Sequence, residues 1–499
     1  MSPRTRQLGV VAAGHPLSAE AGAGALRAGG NAVDATLAAM LSSFVCEPLL
    51  TGLGAGGYML VVAPGGQPAL LDFFVEAPGR EADPSTRGEL VPVSVSFGDA
   101  VQVFNVGPAS VGTFGVPAGV CEAARRFGSM PLSELTEPAA QLARDGVELN
   151  AQQAYVVEIL EATINSTAEA AAMFAPGGRL LRAGERLRQP ELADALERLG
   201  AEGAKPFYEG DIAAAIVAWL EDRGGIVTAA DLRAYAVLER EPLRAAYRGR
   251  EVLTNPPPAA GGILLALALE LLDAGPSPPA LPRIVEVMER SQDERTPAFL
   301  AGLDDPGFVE RFLRRGSGRL GSTTHIAALD RDGWACSVTC SAGSASGVIV
   351  PGTGVYLNNM LGEQDLNPLG YHRHAAGRRL PSMMSPTIAL RGGRPELAVG
   401  SAGSNRIRSA ILQTIVGCVD RGLLAQDAVD APRVHFEDGV VYAEPGIDTA
   451  ELERAGRTLT RFHERNLFFG GAQCAVRAPG GSFSGGGDPR RGGAAIVVE

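Results

Sequence analysis

The stretch that decides the interpretation of this 499-residue chain is GSTTHIAALD, residues 321–330. It is followed by Arg-Asp-Gly and then by a second, largely apolar run at residues 334–341. Two apolar runs around an Asp-Gly pair predict a β-hairpin. The first strand of this hairpin begins beside a pair of threonines, Thr323 and Thr324, and a threonine hydroxyl group can serve as a nucleophile.

The length of the hairpin loop decides which residue faces Thr323. A two-residue Asp-Gly loop places position 342 opposite Thr323, whereas a four-residue loop places position 340 there. In both registers a hydroxyl group from Thr339 or Ser341 can reach the Thr323 side chain.

Thr323 needs a base, and the sequence shows no evident Ser-His-Asp arrangement around it. If the preceding peptide bond is cleaved, the new α-amino group, with an ordinary pKa of about 7.7–8.0, can accept the hydroxyl proton. The β-branch of threonine restricts χ1 and pre-aims the hydroxyl group. Taken alone, these residues are more typical of an ordinary pair of threonines at the start of a strand.

The composition excludes some partners. The chain has 56 acidic and 44 basic side chains and a formal charge of −12, so it offers no excess of basic residues for nucleic-acid phosphates. Its 45% hydrophobic and 20% charged residues are ordinary for a soluble globular protein. Residues 1–9 lack the apolar core of a secretory signal, and residues 263–272 are too short to span a bilayer. We therefore expect a cytoplasmic protein with no membrane partner.

No cofactor or metal site is predicted. The Gly-rich residues 51–57 lack the Lys-Ser/Thr ending of a phosphate loop and lead into a predicted strand. His372 and His374 are one residue apart but have no third ligand motif. The cysteines are expected to be free thiols without metal spacing, at positions 46, 121, 336, 340, 418 and 474.

Helix signals dominate residues 115–245 and strand signals dominate from Thr323 onward, which fits layers of helix on sheet. Besides Thr-Thr-His at 323–325, motifs of one known family occur in order at residues 14–47, 52–57, 72–73, 256–262, 350–359, 385–387, 400–404, 430–435 and 488–493. Through these motifs the whole chain resembles the γ-glutamyltransferase (γ-glutamyltranspeptidase, glutathione hydrolase) family of N-terminal nucleophile hydrolases. The resemblance implies an α+β fold, a four-layer αββα sandwich.

The resemblance also implies self-cleavage between Ser322 and Thr323. The products are a large (α) subunit, residues 1–322, and a small (β) subunit, residues 323–499, which together build one fold as a heterodimer; a higher oligomer is left open. Thr323 is then both the nucleophile and, through its α-amine, the general base. By resemblance Ser341 hydrogen-bonds the nucleophile.

The backbone N–H groups of Gly403 and Ser404 match the family's oxyanion hole, where the family has a Gly-Gly pair. Ser404 departs from glycine, and a backbone donor survives that change if the backbone conformation is tolerated.

The sequence departs from the family where the glutamyl group binds. Phe74 replaces the arginine that holds the α-carboxylate, and phenylalanine cannot form a bidentate charge-assisted pair. Met360 and Glu363 stand where the family holds the α-amine. Of the serine pair for the carboxylate, Ser382 remains and Met383 replaces its partner. An asparagine expected just after the second hydroxyl residue is also missing. We expect the acyl-transfer chemistry to be kept and the acyl group to be less charged.

Four arginines are alternative ligands for a substrate carboxylate: Arg378, Arg379, Arg406 and Arg408. The predicted function is an autoprocessed amidohydrolase or acyltransferase that acts on a small amide or peptide, glutathione-like or related, through a Thr323 ester. Two alternatives remain at this stage: a cephalosporin-acylase-like hydrolase with a non-glutamyl substrate, and an unprocessed, catalytically silent binding protein. The sequence does not distinguish hydrolysis from transfer.

Overall fold

The computed structural model describes residues 7–96, 101–294, 303, 323–367 and 370–499. Within these residues the helices are α1 Pro16–Arg27, α2 Ala32–Cys46, α3 Val116–Phe127, α4 Leu132–Asp145, α5 Ala151–Ile159, α6 Glu161–Ile164, α7 Ala168–Phe174, α8 Pro190–Glu202, α9 Lys205–Tyr208, α10 Asp211–Glu221, α11 Ala229–Ala234, α12 Ala260–Asp273, α13 Leu281–Asp293, α14 Arg406–Val419, α15 Ala425–Asp430 and α16 Ala450–Arg454.

The strands of the same residues are β1 Gly9–Ala13, β2 Gly56–Val62, β3 Ala69–Phe73, β4 Val91–Ser96, β5 Val101–Val106, β6 Val147–Glu148, β7 Arg186–Leu187, β8 Leu238–Arg240, β9 Leu243–Tyr247, β10 Arg250–Thr254, β11 Thr324–Asp330, β12 Ala335–Ser341, β13 Ile349–Val350, β14 Val355–Tyr356, β15 Thr387–Arg391, β16 Arg394–Ala402, β17 Val434–Glu437, β18 Val440–Ala443, β19 Thr458–Arg461, β20 Gly471–Arg477, β21 Phe483–Gly487 and β22 Ala494–Val498.

Two antiparallel sheets form the centre of the molecule. The first has the strand order β22-β1-β11-β12-β2-β3-β8 and the second β21-β20-β16-β15-β10-β9. In the first sheet β11 pairs with β1, so strands from before and after residue 322 form one continuous sheet. Side chains alternate between the two faces of each strand, and both faces of the central strands are buried.

The alternation along β11 separates two apolar cores. Ile326 and Ala328 pack toward the layer that contains α1 and α2, whereas Ala327 and Leu329 face the second sheet. On the far side of the second sheet, α12, α13 and α14 cover residues such as Val399. The order helix, sheet, sheet, helix confirms the predicted αββα sandwich.

Local sequence signals explain how the layer over β11 is built. Asn31 caps α2 through a capping box in which Asp34 bonds the Asn31 amide, and α2 ends at Cys46, before Pro48. Every residue of α2 is buried, its four polar residues included, as expected for a mostly apolar helix inside the protein. No helix of the described residues is long and apolar enough to cross a membrane.

Candidate active site

The β11–β12 hairpin fixes the surroundings of Thr323. Thr324 pairs with Cys340, so the next pair along the ladder places Ser341 opposite Thr323. Both predicted registers were therefore wrong by one residue, although Ser341 was among the predicted partners. The reason is a loop of three residues, 331–333, in which Gly333 adopts φ 101°.

The carboxylate of Asp330 closes this three-residue loop. Its Oδ1 atom accepts the amides of Asp332, Gly333 and Trp334 at 2.9–3.0 Å, and the Asp330 amide donates to the Trp334 carbonyl at 3.1 Å. Its second oxygen accepts the Ala32 amide at the start of α2. One carboxylate therefore sets the hairpin register and ties it to the helix layer.

Thr323 lies in a cavity with about 200 Å³ of empty space. The described residues that line this acyl cavity are Phe74, Thr323, Met360, Glu363, Leu366, Ser382, Met383, Met384 and Ile407. All five residues predicted to bind substrate thus meet the predicted nucleophile in one place. This lining contains one carboxylate and no arginine, lysine or histidine, and its other members are mostly apolar. Ser322, the other half of the predicted cleavage site, lies outside the described residues.

Phe74 takes up its position directly after β3. Its amide donates to the Asp72 carboxylate at 3.0 Å, and its ring stacks on Tyr58 with centroids 5.3 Å apart. The side chain is fully buried. The position that the family uses for a carboxylate-binding arginine is therefore a fixed aromatic wall.

Met360 begins a short 3-10 helix after β14, Met360–Gly362, and Glu363 is the residue that follows it. The Met360 amide donates to Asn358 Oδ1 at 3.2 Å. Glu363 Oε1 and Asn359 Oδ1 both accept the Ser344 amide at 3.0 Å. These bonds attach the segment to the loop after β12, so the cavity wall and the Thr323 hairpin are one connected unit.

Ser382 and Met383 reach the cavity from the loop before β15. Ser382 Oγ accepts the Met384 amide at 3.0 Å, and the Ser382 carbonyl accepts the Ala260 amide at the start of α12. Met383 also belongs to the apolar core under the second sheet. Backbone contacts therefore hold Ser382, the retained serine, next to Met383, which replaces the second serine.

Gly403 and Ser404 lie just before Asn405, the N-cap residue of α14, and adopt φ 110° and φ 68°. Ile407, in the first turn of this helix, lines the acyl cavity, whereas Gly403 and Ser404 are absent from its described lining. A left-handed conformation costs an L-residue such as serine roughly 1–2 kcal/mol, which glycine would avoid. Backbone N–H groups at the start of a 14-residue helix favour negative charge, as an oxyanion site requires.

A buried network below the loop of Gly403 and Ser404 was not predicted from the sequence. Asn405 Nδ2 donates to Glu437 Oε1 at 2.7 Å, and His435 contacts Glu437 at 3.3 Å and Ser409 at 2.8 Å. Burial alone would raise the pKa of Glu437, but His435, Arg406 and Asn405 outweigh it and hold the pKa at about 2. The charged carboxylate fixes the residue that follows Ser404.

The four arginines considered as alternative carboxylate ligands do not line the acyl cavity. Arg379 is buried and bonds the carboxylates of Asp72 and Glu76 at 3.2 and 2.8 Å. Arg408 donates to Gln292, and Arg406 donates to a backbone carbonyl and stacks on an aromatic ring. The backbone carbonyl of Arg378 accepts the Ala77 amide at 2.8 Å. The contacts of Arg379, Arg406 and Arg408 show structural roles.

Glu47, the residue after α2, lies directly behind the hairpin. Thr324 Oγ1 donates to both of its carboxylate oxygens, at 3.2 and 3.3 Å. A Cβ atom on Gly14 would lie 2.4 Å from Glu47 Oε1, so the glycine makes room for the carboxylate. Burial raises the pKa of Glu47 to about 7, although Thr324 and Arg491 act in the opposite direction. In the sequence, Glu47 stood out only as part of the family motif at residues 14–47.

The titration of Glu47 predicts a pH-dependent stability. Between about pH 4.5 and 7 the folded chain holds a proton that the unfolded chain has released. The free energy of unfolding therefore falls by about 1.4 kcal/mol per pH unit in this window, and this stability is lost above pH 7. Glutamine does not titrate, so the stability of Glu47→Gln should not fall in this way. We therefore expect the variant to gain stability relative to the parent as the pH rises.

The measurement is urea unfolding at pH 5, 6, 7 and 8 in a Thr323→Ala background, in which we expect one covalent chain. Buried histidines with lowered pKa values, such as His15 and His325, change stability in the opposite sense. They are common to both proteins and cancel in the difference. A difference that stays constant from pH 5 to 8 contradicts the assignment.

Comparison with known proteins agrees with this geometry. A family model described as Gamma-glutamyltranspeptidase matches residues 18–314 and 309–498. The Acylase ACY 1 proenzyme of Pseudomonas sp. (strain V22) is 32% identical over 482 residues, which cover 89% of this chain and 85% of the relative. The Glutathione hydrolase proenzyme of Escherichia coli (strain K12) is 30% identical over 546 residues, covering 98% and 91%. A solved structure of cephalosporin acylase from Bacillus halodurans superposes with a TM-score of 0.83 at 26% identity, covering 100% and 98%.

Proposed function

The chain belongs to the γ-glutamyltranspeptidase family, and on that premise we propose that it is a self-cleaving threonine amidohydrolase or acyltransferase with an apolar acyl site. Membership itself makes it an enzyme of the amidohydrolase and acyltransferase type with an N-terminal nucleophile fold. The proposal adds the identity of the nucleophile, the processing step and the character of the acyl group.

Cleavage of the peptide bond before Thr323 frees its α-amine. This amine accepts the proton of the Thr323 hydroxyl group as the oxygen attacks the amide carbonyl of the substrate. The N–H groups of Gly403 and Ser404 stabilise the oxyanion, and Ser341 orients the hydroxyl group from the facing strand. The protonated amine then gives its proton to the leaving nitrogen, which leaves the acyl group as an ester on Thr323.

Water or a second amine ends the cycle by attacking this ester. The Thr323 amine takes a proton from the attacking molecule, and the Thr323 oxygen regains one as the acyl group departs. Attack by water is hydrolysis and attack by an amine is transfer, so one intermediate serves both reactions. Two subunits, residues 1–322 and 323–499, are the expected products of processing, since the named relatives are proenzymes.

The observation that carries the proposal is the lining of the acyl cavity. Thr323 shares it with Phe74, three methionines, Leu366 and Ile407, and no cation lies among the described lining residues. An α-carboxylate placed there would lose its solvation without gaining a positive partner, which costs several kcal/mol. An acyl group without a carboxylate fits better than a γ-glutamyl group.

The same lining favours an acylase-like hydrolase as the second candidate. The relatives at 32% identity bear the name acylase, and the cephalosporin acylase structure covers the whole chain. A silent binding protein is disfavoured because Thr323 and Gly403 are both present and Ser341 faces Thr323 across the hairpin.

Trapping the ester tests the proposal. The purified protein is mixed with anilides of apolar and γ-glutamyl acids, quenched in acid and digested for mass spectrometry. We expect the mass of the acyl group on the peptide that begins at Thr323. More of this ester should form with the anilides of apolar acids than with the γ-glutamyl anilide. An acyl mass on a different residue, or none with any anilide, contradicts the assignment.

A further inference from the structure

A second cavity lies on the other side of the segment that holds Met360 and Glu363. It has about 640 Å³ of empty space, against about 200 Å³ for the acyl cavity. Its described lining is Ala77, Pro78, Gly79, Ala82, Arg87, Ile226, Leu361, His372, His374 and Ala376. Most of this surface is apolar, and its polar side chains are one arginine and two histidines.

His372 is the residue of this cavity whose polar atoms are left unpaired. Both of its ring nitrogens are shielded from solvent, and neither has a hydrogen-bond partner among the described residues. Its backbone adopts φ 56°, a conformation in which histidine is enriched. Leaving buried polar atoms unpaired destabilises the fold, and a bound polar molecule that pairs with them would offset this loss.

The charge around His372 favours an anion. Burial and the neighbouring Arg87 lower the pKa of His372 to about 4, so the ring is neutral at pH 7 and offers one N–H donor. Arg87 forms no ion pair with any described residue, and no carboxylate belongs to the described lining.

Two carboxylates beside the lining residues Ala77 and Gly79 are already engaged. Asp231 accepts the amides of Gly79 and Arg80, and Glu76 pairs with Arg80 and Arg379. Their negative charge is therefore compensated outside the cavity. The guanidinium of Arg87 and the N–H group of His372 remain to hold a negative oxygen.

We propose that this second cavity binds a carboxylate with a small apolar body, held by Arg87 and His372. The apolar part contacts residues such as Ile226 and Leu361, whose surfaces favour hydrocarbon over water. A neutral molecule of the same shape lacks the charge-assisted contact to Arg87 and binds more weakly.

The second cavity and the acyl cavity share a wall. Leu361 lines the second cavity, while Met360, Glu363 and Leu366 of the same segment line the acyl cavity. His374 Nε2 also bonds the Leu366 carbonyl at 3.0 Å. A molecule bound in the second cavity therefore contacts the segment whose other residues line the acyl cavity. The carboxylate could belong to the leaving group of the amide or to a separate effector.

Titration with hexanoate, and with hexanamide as its neutral match, tests the proposal. The readout is the ring-nitrogen resonances of ¹⁵N-histidine-labelled full-length protein, and His372→Asn, which suits a left-handed backbone, identifies the relevant signals. We expect hexanoate to shift the His372 signals saturably and hexanamide to bind at least about tenfold more weakly.

Arg87→Gln should weaken hexanoate binding at least about tenfold, while Arg421→Gln, at an exposed arginine beyond α14, should leave it unchanged. All titrations are repeated with Thr323→Ala, so the result does not depend on the proposed catalysis. Equal responses to the two probes, no response of His372, or full binding by Arg87→Gln overturns the proposal.

Kinetics with the active protein then separates the two sources of the carboxylate. Competitive inhibition by hexanoate that is weakened in Arg87→Gln identifies the site of the leaving group. A changed kcat without competition identifies a separate effector.

Discussion

Replacing Thr323 with alanine should leave a single chain of 51.6 kDa and remove amide turnover. The wild-type protein should instead run as two chains of about 33 and 18 kDa, the masses expected by length for residues 1–322 and 323–499. Alanine removes the oxygen that attacks in both self-cleavage and catalysis, so both reactions fail together. Loss of a nucleophile of this kind costs roughly 10⁴-fold or more in rate.

Thr323→Ser is the matched control. Serine keeps the hydroxyl group but lacks the methyl group that restricts χ1, so two chains and a reduced rate are expected. Denaturing gels measure processing, and anilide hydrolysis measures turnover. If Thr323→Ala still splits into two chains, or hydrolyses its substrate at the wild-type rate, Thr323 is not the nucleophile.

The second large effect concerns the charge of the acyl group. Four 4-nitroanilides share one leaving group and one chain length: γ-glutamyl, 4-carboxybutanoyl, 4-aminopentanoyl and pentanoyl. Each lost charge-assisted hydrogen bond is worth about 1.5–3 kcal/mol, or roughly 10- to 150-fold. Since Phe74 and Met383 replace two such donors, we expect kcat/KM to be at least about 10²-fold lower for the two anilides with a carboxylate than for their counterparts with a methyl group in its place.

Phe74→Arg tests the cause of this discrimination. An arginine there should raise kcat/KM for the two carboxylates relative to pentanoyl, while Phe74→Leu, which keeps an apolar side chain, should not. Complete self-cleavage of each variant serves as evidence that it has folded. Turnover of the γ-glutamyl anilide by the unmodified protein at the pentanoyl rate would contradict the apolar acyl site.

The fold and the members of the acyl cavity could be predicted from the sequence because they depend on motif order. Motifs spread over nearly the whole chain implied the αββα sandwich, which the two sheets and their helix layers confirm. The predicted substrate residues, from Phe74 to Met383, also meet in one cavity. Their catalytic and binding roles stay predictions.

The hairpin register could not be predicted, because it depends on a side chain and not on the Asp-Gly pair alone. Asp330 binds three successive amides and so selects a three-residue loop that neither predicted register assumed. The ion pairs of Arg379 could not be predicted from the sequence either. Its partners Asp72 and Glu76 are about three hundred residues away in the sequence, and only folding brings them together.

Glu47 shows the same limit at closer range. A glutamate before a proline at a helix end is ordinary in sequence, and its contact with Thr324 exists only because α2 ends behind β11. Ser404 shows the converse: the substitution is visible in the sequence, but its left-handed backbone requires the structure.

The terminus of the active enzyme tests the central claim most directly. Intact-mass analysis and N-terminal sequencing of catalytically active wild-type protein should find a 177-residue chain that begins Thr-Thr-His, at Thr323. Full activity in an uncleaved 499-residue chain, or a new terminus at any other residue, would contradict the account.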